Sequence, residues 1–188
     1  MPDLTASTAL GDIMPRSIDR GSLVIAENSG LALASLALRR DCAPPAPYGL
    51  ALPAPGGWAA TGRIAALWTG VGQWLIEGED QAETDFASAI AAQCPDCSVT
   101  EQTDGFVAFE VRSINGEAPL QALIEKLLNL DPVRFKPGMG CRTAFQHGSV
   151  FAVRRSALHF AIMGMRSAAA SIWHELETAA TRLTVGAI

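Results

Sequence analysis

The sequence predicts an α+β domain built from antiparallel sheets and about three helices, with a ferredoxin-like split β-α-β unit at its centre. Three observations predict it. Short apolar runs with period-two alternation recur between Gly, Asn and Asp turn signals, as antiparallel strands require. Two longer stretches instead carry apolar residues at helical spacing, Leu120, Leu123, Ile124, Leu127 and Leu128 in one and Ile172, Trp173, Leu176, Ala180 and Leu183 in the other. Between residues 73 and 146 the elements run strand, helix, hairpin, helix, strand, the order of a split β-α-β unit.

Residues 1–21 are polar and aperiodic at their start and read as a flexible N-terminal arm. Residues 22–188 then form a single domain, with room for two small α+β lobes. Ser22 to Glu27 reads as a strand, Asn28-Ser29-Gly30 as a turn, and 31–39 as the partner strand. In that second strand Leu31 and Leu33 are followed by Leu36 and Leu38, a change of phase that a bulge near Ala34-Ser35 would produce. Residues 42–57 hold Pro44, Pro45, Pro47, Pro53 and Pro55. Proline has no amide donor and a fixed φ, so the segment reads as an ordered crossing loop.

Residues 63–68 and 73–77 read as strands joined at Gly70-Val71-Gly72, and 80–93 as a helix that Pro95 stops. Residues 98–102 and 106–112 read as a hairpin around Asp104-Gly105, with Val107, Phe109 and Val111 on one face and Ala108, Glu110 and Arg112 on the other. The helix over 119–130 opens on Pro119 and ends at Asp131-Pro132. Strands over 141–146, 149–154 and 158–163 turn at His147-Gly148 and Arg155-Ser156. A helix over 168–183, with Ser167 as N-cap, closes the chain.

Composition narrows the partners. Of 188 residues, 49% are hydrophobic and only 18% charged, with a net charge of −5. The charged fraction lies below the roughly 25% of ordinary soluble domains, which points to surface covered by another protein. Lys and Arg form no stripe interleaved with aromatics, so no nucleic acid is expected. No apolar run is long enough to span a membrane, and the N-terminus shows no signal pattern, so a cytoplasmic chain with reduced cysteines is expected.

Candidate chemistry is sparse. Cys94-Pro-Asp-Cys97 has the spacing of half a zinc site, but Cys42 and Cys141 stand alone without a nearby His. The same pair follows a helix, whereas a thioredoxin-type redox pair opens one. His147, His159 and His174 share no ligand spacing. Gly138-Met-Gly140 leads from a loop into a strand, and Gly70-Val-Gly72 is followed by a strand, so neither is a dinucleotide fingerprint. Glu175 and Glu177 do not share a helix face. No catalytic position and no metal site is therefore assigned. The expected partner contact is the apolar stretch Leu52, Pro53, Pro55, Trp58, Trp68 and Trp74, in which Trp68 and Trp74 also suit a core and Trp58, in the loop, suits a contact.

The segment Leu52-Pro-Ala-Pro-Gly-Gly-Trp58, with Ala66-Leu-Trp-Thr-Gly70 and Gln73-Trp-Leu-Ile76, resembles the gamma subunit of heterotetrameric sarcosine oxidase. Thr103-Asp-Gly-Phe106, Leu130-Asp131-Pro132, Phe135-Lys-Pro-Gly138, Cys141-Arg-Thr143, His147-Gly148, Met165-Arg-Ser167 and Trp173 extend the resemblance over residues 22–180. Asn115-Gly-Glu-Ala-Pro119 and the short turn at Arg154-Arg155-Ser156 depart from it.

The resemblance implies an aminomethyltransferase-like fold and a non-catalytic subunit beside alpha, beta and delta chains. Such an assembly oxidatively demethylates sarcosine to glycine, with one-carbon transfer to tetrahydrofolate. FAD, FMN, NAD, tetrahydrofolate and zinc are then expected on other subunits, and no cofactor on this chain. The alternative is a free-standing tetrahydrofolate-binding module, for which Glu110 and Asp104 are the acids nearest a suitable place. A zinc or redox protein using Cys94 and Cys97 is a third reading.

Overall fold

The computed structural model describes residues 7–131, 134–146 and 148–185. Eleven strands and three α-helices follow in chain order. They are β1 (Ser17–Arg20), β2 (Leu23–Glu27), β3 (Ala32–Leu38), β4 (Trp58–Thr61), β5 (Ile64–Gly70), β6 (Gln73–Gly78), α1 (Phe86–Gln93), β7 (Cys97–Glu101), β8 (Phe106–Ser113), α2 (Ala118–Leu127), β9 (Met139–Phe145), β10 (Gly148–Ser156), β11 (His159–Met165) and α3 (Ala169–Val185).

The strands form two antiparallel sheets. One has six strands in the order β1-β2-β8-β11-β10-β9, the other five in the order β4-β5-β6-β3-β7. The sheets stack face to face around Leu31, Leu33, Leu67, Leu75, Ala108, Val153, Ala161 and Met163. On the outer face of the six-stranded sheet, α2 and α3 bury Leu120, Leu123, Trp173 and Leu176 against Val107, Phe109, Val111, Phe160 and Ile162. On the outer face of the five-stranded sheet, α1 buries Phe86 and Ile90 against Ala34, Leu36 and Ile76. The result is four layers, helix, sheet, sheet, helix, with β3, β6, β8 and β11 buried on both sides. The α+β class, the two antiparallel sheets and the three helices agree with the sequence reading. The split β-α-β unit is β6-α1-β7, whose two parallel strands flank β3.

Double-sided burial explains where pairing differs from expectation. β2 and β3 are not hairpin partners: β2 lies between β1 and β8, while β3 lies between β6 and β7. The chain crosses from one sheet to the other at residues 28–31. β3 has no bulge, since its register with β6 runs unbroken from Ala32↔Gly78 to Ala37↔Gln73. Leu31 and Leu33 face the other sheet, while Leu36 and Leu38 face α1, so the apparent phase change is one strand feeding two cores. The expected hairpin over 98–112 is a second crossing: β7 pairs with β3, and β8 with β2 and β11. A turn signature at Asp104-Gly105 joins strands of different sheets here.

Other differences are local. Residues 17–20, placed in the arm by sequence, form β1 at a sheet edge, and Arg20 pairs with Glu177 of α3. Trp58 lies in β4 and not in a loop. α1 starts at Phe86, where the Asp85 carboxylate accepts from the Ser88 amide at 3.2 Å and fixes the N-cap. α2 stops at a Leu128 C-cap, before the Asp131-Pro132 stop. A single 3₁₀ turn over Arg166–Ala168 runs into α3, so Ser167 sits inside that turn. Pro132 and His147 lie outside the described residues.

Candidate functional site

Charged residues gather at one place in the layer between the sheets. On each strand there, alternate side chains point into that layer. On β8 these are Ala108 and Glu110, on β11 His159, Ala161 and Met163, and on β6 Leu75 and Glu77. Trp58 reaches the same layer from β4. The remaining member, Arg155, arrives through a bulge. β10 pairs Arg154 with Phe160 and Ser156 with His159, so Arg155 is the extra residue. A bulge re-aims a side chain, and here it brings a guanidinium between two carboxylates.

The contacts are short. Arg155 meets Glu110 with both arms of its fork, Nε to Oε2 and Nη2 to Oε1, each at 3.0 Å. Its Nη2 also stands 2.7 Å from Oε2 of Glu77, an ion pair outside good hydrogen-bond alignment. Oε1 of Glu77 accepts from the Trp58 indole N–H at 2.9 Å. Nε2 of His159 lies 2.7 Å from Oε2 of Glu110, and the Asn28 side-chain amide donates to Oε1 at 3.4 Å. The guanidinium also covers the Trp58 ring at 5.2 Å, a cation–π contact.

Glu77 is 2% exposed, Arg155 11% and Glu110 12%, so the ions are largely removed from water. Burial alone would raise the Glu110 carboxyl. The hydrogen bond to His159 and the Arg155 charge outweigh it and hold Glu110 at about 2. Burial likewise disfavours the charged Arg155, but Glu77 and Glu110 reverse this and raise it further.

A cavity of about 340 Å³ opens beside the cluster, with exposed Arg63, Glu79 and Arg112 at its rim. Chemically the cluster is committed. A carboxylate held ionised to pH 2 is a poor general acid, and one gripped by a bidentate Arg is a poor base. The arrangement suits a polar clamp joining the sheets: Glu77 stands on one, Glu110, Arg155 and His159 on the other.

Sequence reasoning named Glu110 and His159 singly, set Arg155 at a turn, and missed Glu77. The available signal was an acid inside an otherwise apolar strand, as in Gln73-Trp-Leu-Ile-Glu77 and Phe106-Val-Ala-Phe-Glu110. The expected contact residues divide between faces. Trp58 points between the sheets, whereas Trp68 and Trp74 pair across β5 and β6 on the α1 side. Trp74 is buried and donates its indole N–H to the Pro53 carbonyl at 2.9 Å, pinning the proline-rich loop. Leu52 and Pro53 are half-buried and Pro55 is exposed.

Asp104 is exposed beside the second sheet crossing, and His174 is exposed on α3. Glu177 pairs with Arg20. Cys94 and Cys97 are buried. Burial and the neighbouring Cys97 push the Cys94 thiol up to about 11, and burial raises Cys97 as well, which disfavours both thiolates.

No protein-family model matches the chain, and no curated protein matches it by sequence. Solved structures do match in fold. A chain of heterotetrameric sarcosine oxidase from Corynebacterium sp. U-96, in complex with pyrrole 2-carboxylate, superposes with a TM-score of 0.70 at 15% identity, over 89% of this chain and 88% of that one. Aminomethyltransferase T of the glycine cleavage system from Bartonella henselae superposes with a TM-score of 0.54 at 15% identity, over 80% of this chain and 44% of that one. The fold is thus aminomethyltransferase-like, and the chain corresponds to under half of the aminomethyltransferase. No helix among the described residues is long and apolar enough to cross a membrane.

Proposed function

We propose that this chain is a non-catalytic subunit, of gamma type, in an assembly like heterotetrameric sarcosine oxidase. The observation that carries the reading is the end-to-end fold correspondence with one chain of that assembly, with nearly equal coverage on both sides. The closed charge cluster supports it, because Glu110 and Arg155 are spent on each other and neither is free for acid–base work. In this reading the alpha, beta and delta chains carry FAD, FMN, NAD, tetrahydrofolate and zinc, and the assembly demethylates sarcosine or a related methylated amine.

The loop over 50–57 is the proposed contact. Ala51, Ala54 and Pro55 are exposed there, on backbone that Trp74 holds rigid. A rigid apolar loop loses little entropy on docking. Co-expression with the flavin-bearing chains tests the reading. The chain is expected to co-purify with them at moderate salt, and Ala54→Arg to weaken that recovery while leaving the chain folded. Recovery of the flavin chains without it contradicts the proposal.

A free-standing tetrahydrofolate module would need an unpaired carboxylate against the pterin; of the two acids expected for it, Glu110 is paired with Arg155 and His159, and Asp104 stands exposed. Tight binding of tetrahydrofolate to the isolated chain would favour that alternative.

A further inference from the structure

A second cavity, of about 390 Å³, lies where the chain crosses twice between the sheets, at residues 28–31 and 102–105. The N-terminal segment from Ser7 to Pro15 forms one wall. Its size falls within the range of small-molecule sites.

The lining carries an unbalanced charge. Glu27, Glu83 and Asp104 face it, against the single guanidinium of Arg166, whose Nη2 donates to the Ser7 carbonyl at 3.0 Å. Glu27 is the unusual member. It is 5% exposed, and each of its oxygens accepts one backbone amide, Oε1 from Leu10 at 3.2 Å and Oε2 from Arg16 at 3.3 Å. Among the described residues no Lys, Arg or His pairs with it, since Arg16 turns to Asp12 instead. A carboxylate offers about four acceptor positions, so half of its capacity is unused. A buried charge without a counter-charge is unfavourable, and a cation in the cavity would offset that.

A second, independent group points the same way. Thr8 is 9% exposed, lines the cavity, and its hydroxyl oxygen has no hydrogen-bond partner. Leu31, Leu33 and Phe106 supply apolar wall beside these acceptors. No three potential metal ligands cluster among the described residues, so the lining fits an organic cation better than a metal ion.

We infer that this cavity binds an ammonium or guanidinium group on a short apolar stem. Glu27 takes the charge, the Thr8 hydroxyl accepts one N–H, Asp104 and Glu83 attract the cation at the mouth, and Leu31, Leu33 and Phe106 cover the stem. The same chemistry is offered by a free alkylamine and by a Lys side chain of a partner chain. The site is independent of the subunit reading, because it can be assayed on this chain alone.

The test is titration of the purified full chain with n-butylammonium chloride, n-butanol and Nα-acetyl-lysine methylamide, read by isothermal calorimetry and amide chemical shifts. Butylammonium is expected to bind at about 1 mM, well inside the ceiling for a ligand of five heavy atoms. Shifts should centre on Thr8, Asn28 and Thr103, with n-butanol silent. Tighter binding of the lysine derivative than of butylammonium would support a side-chain source, and the reverse a free amine. Asp104→Asn, at an exposed position, should weaken binding roughly threefold. Thr8→Val should weaken it further without disturbing the Glu27 amide bonds, and so serves where Glu27→Gln fails to fold. Equal response to butanol and butylammonium, or no response to either cation by about 50 mM, fifty times that affinity, would overturn the inference.

Discussion

Arg155→Met is the perturbation with the largest consequence. Among the described residues, Arg155 is the one cation in contact with both Glu77 and Glu110. Methionine keeps most of the volume but leaves Glu77 without a counter-charge and Glu110 with His159 alone. Removing one partner from a buried ion pair costs about 3–5 kcal/mol. For a chain of this size, a urea m-value of about 2 kcal/mol/M turns that loss into a midpoint lower by roughly 2 M. Equilibrium denaturation followed by tryptophan fluorescence measures it.

The triple variant Glu77→Gln, Glu110→Gln, Arg155→Met should recover more than half of the loss, since neutral groups carry no buried charge. Arg155→Lys should fall between wild type and Arg155→Met, because an ammonium cannot supply the fork that grips Glu110. A midpoint shift below about 0.5 M for Arg155→Met would mean that water already screens the cluster, and the clamp account would be wrong.

Further expectations concern the same layers. Glu110 is ordinarily near 4.5 and is held at about 2 in the fold, so its contribution is complete above pH 4.5 and lost as pH falls toward 2. Glu110→Gln should therefore destabilise at pH 7 and flatten the stability loss between pH 4.5 and 2, as read from urea midpoints across that range. Gly140→Ala would set a Cβ 2.3 Å from Leu67 Cδ1 of the facing sheet and 3.3 Å from the Ala152 carbonyl of its own. It should cost about 1–3 kcal/mol, measured by thermal unfolding. Trp74→Phe removes the indole bond to Pro53 and should cost about 1 kcal/mol. It should also speed limited proteolysis within 50–57 more than elsewhere.

Local patterns made much of the architecture legible. The hairpin of β5 and β6 followed from alternation around Gly70-Val71-Gly72, and the stripes of α2 and α3 from Leu120 and Leu123 and from Ile172 and Leu176. Sheet membership was not legible, for a physical reason. Turn residues such as Asn28-Ser29-Gly30 and Asp104-Gly105 report that the chain bends, not which sheet receives the next strand. A strand buried on both faces, such as β3, also lacks the one-sided alternation that would set its register.

The clamp was hidden for a similar reason. Glu77, Glu110 and Arg155 lie far apart along the chain, and the bulge that aims Arg155 inward leaves no mark in the triplet Arg154-Arg155-Ser156. Glu77 and Glu110 each interrupt an apolar strand, and in a strand buried on both faces such an acid must have a partner. The tryptophans misled by proximity. Trp58, Trp68 and Trp74 are near in sequence, yet Trp58 serves the intersheet layer and the other two the α1 side.

The subunit reading is tested most directly by size-exclusion chromatography with light scattering on this chain co-expressed with its candidate flavin-bearing partners. The account predicts that the chain elutes at the mass of the assembly, under the peak that carries flavin absorbance, and that it stays there at 0.15 M salt, where exposed charges are screened beyond about 8 Å. Elution of the chain at its own 19.8 kDa, with the flavin chains assembled without it, would contradict the account.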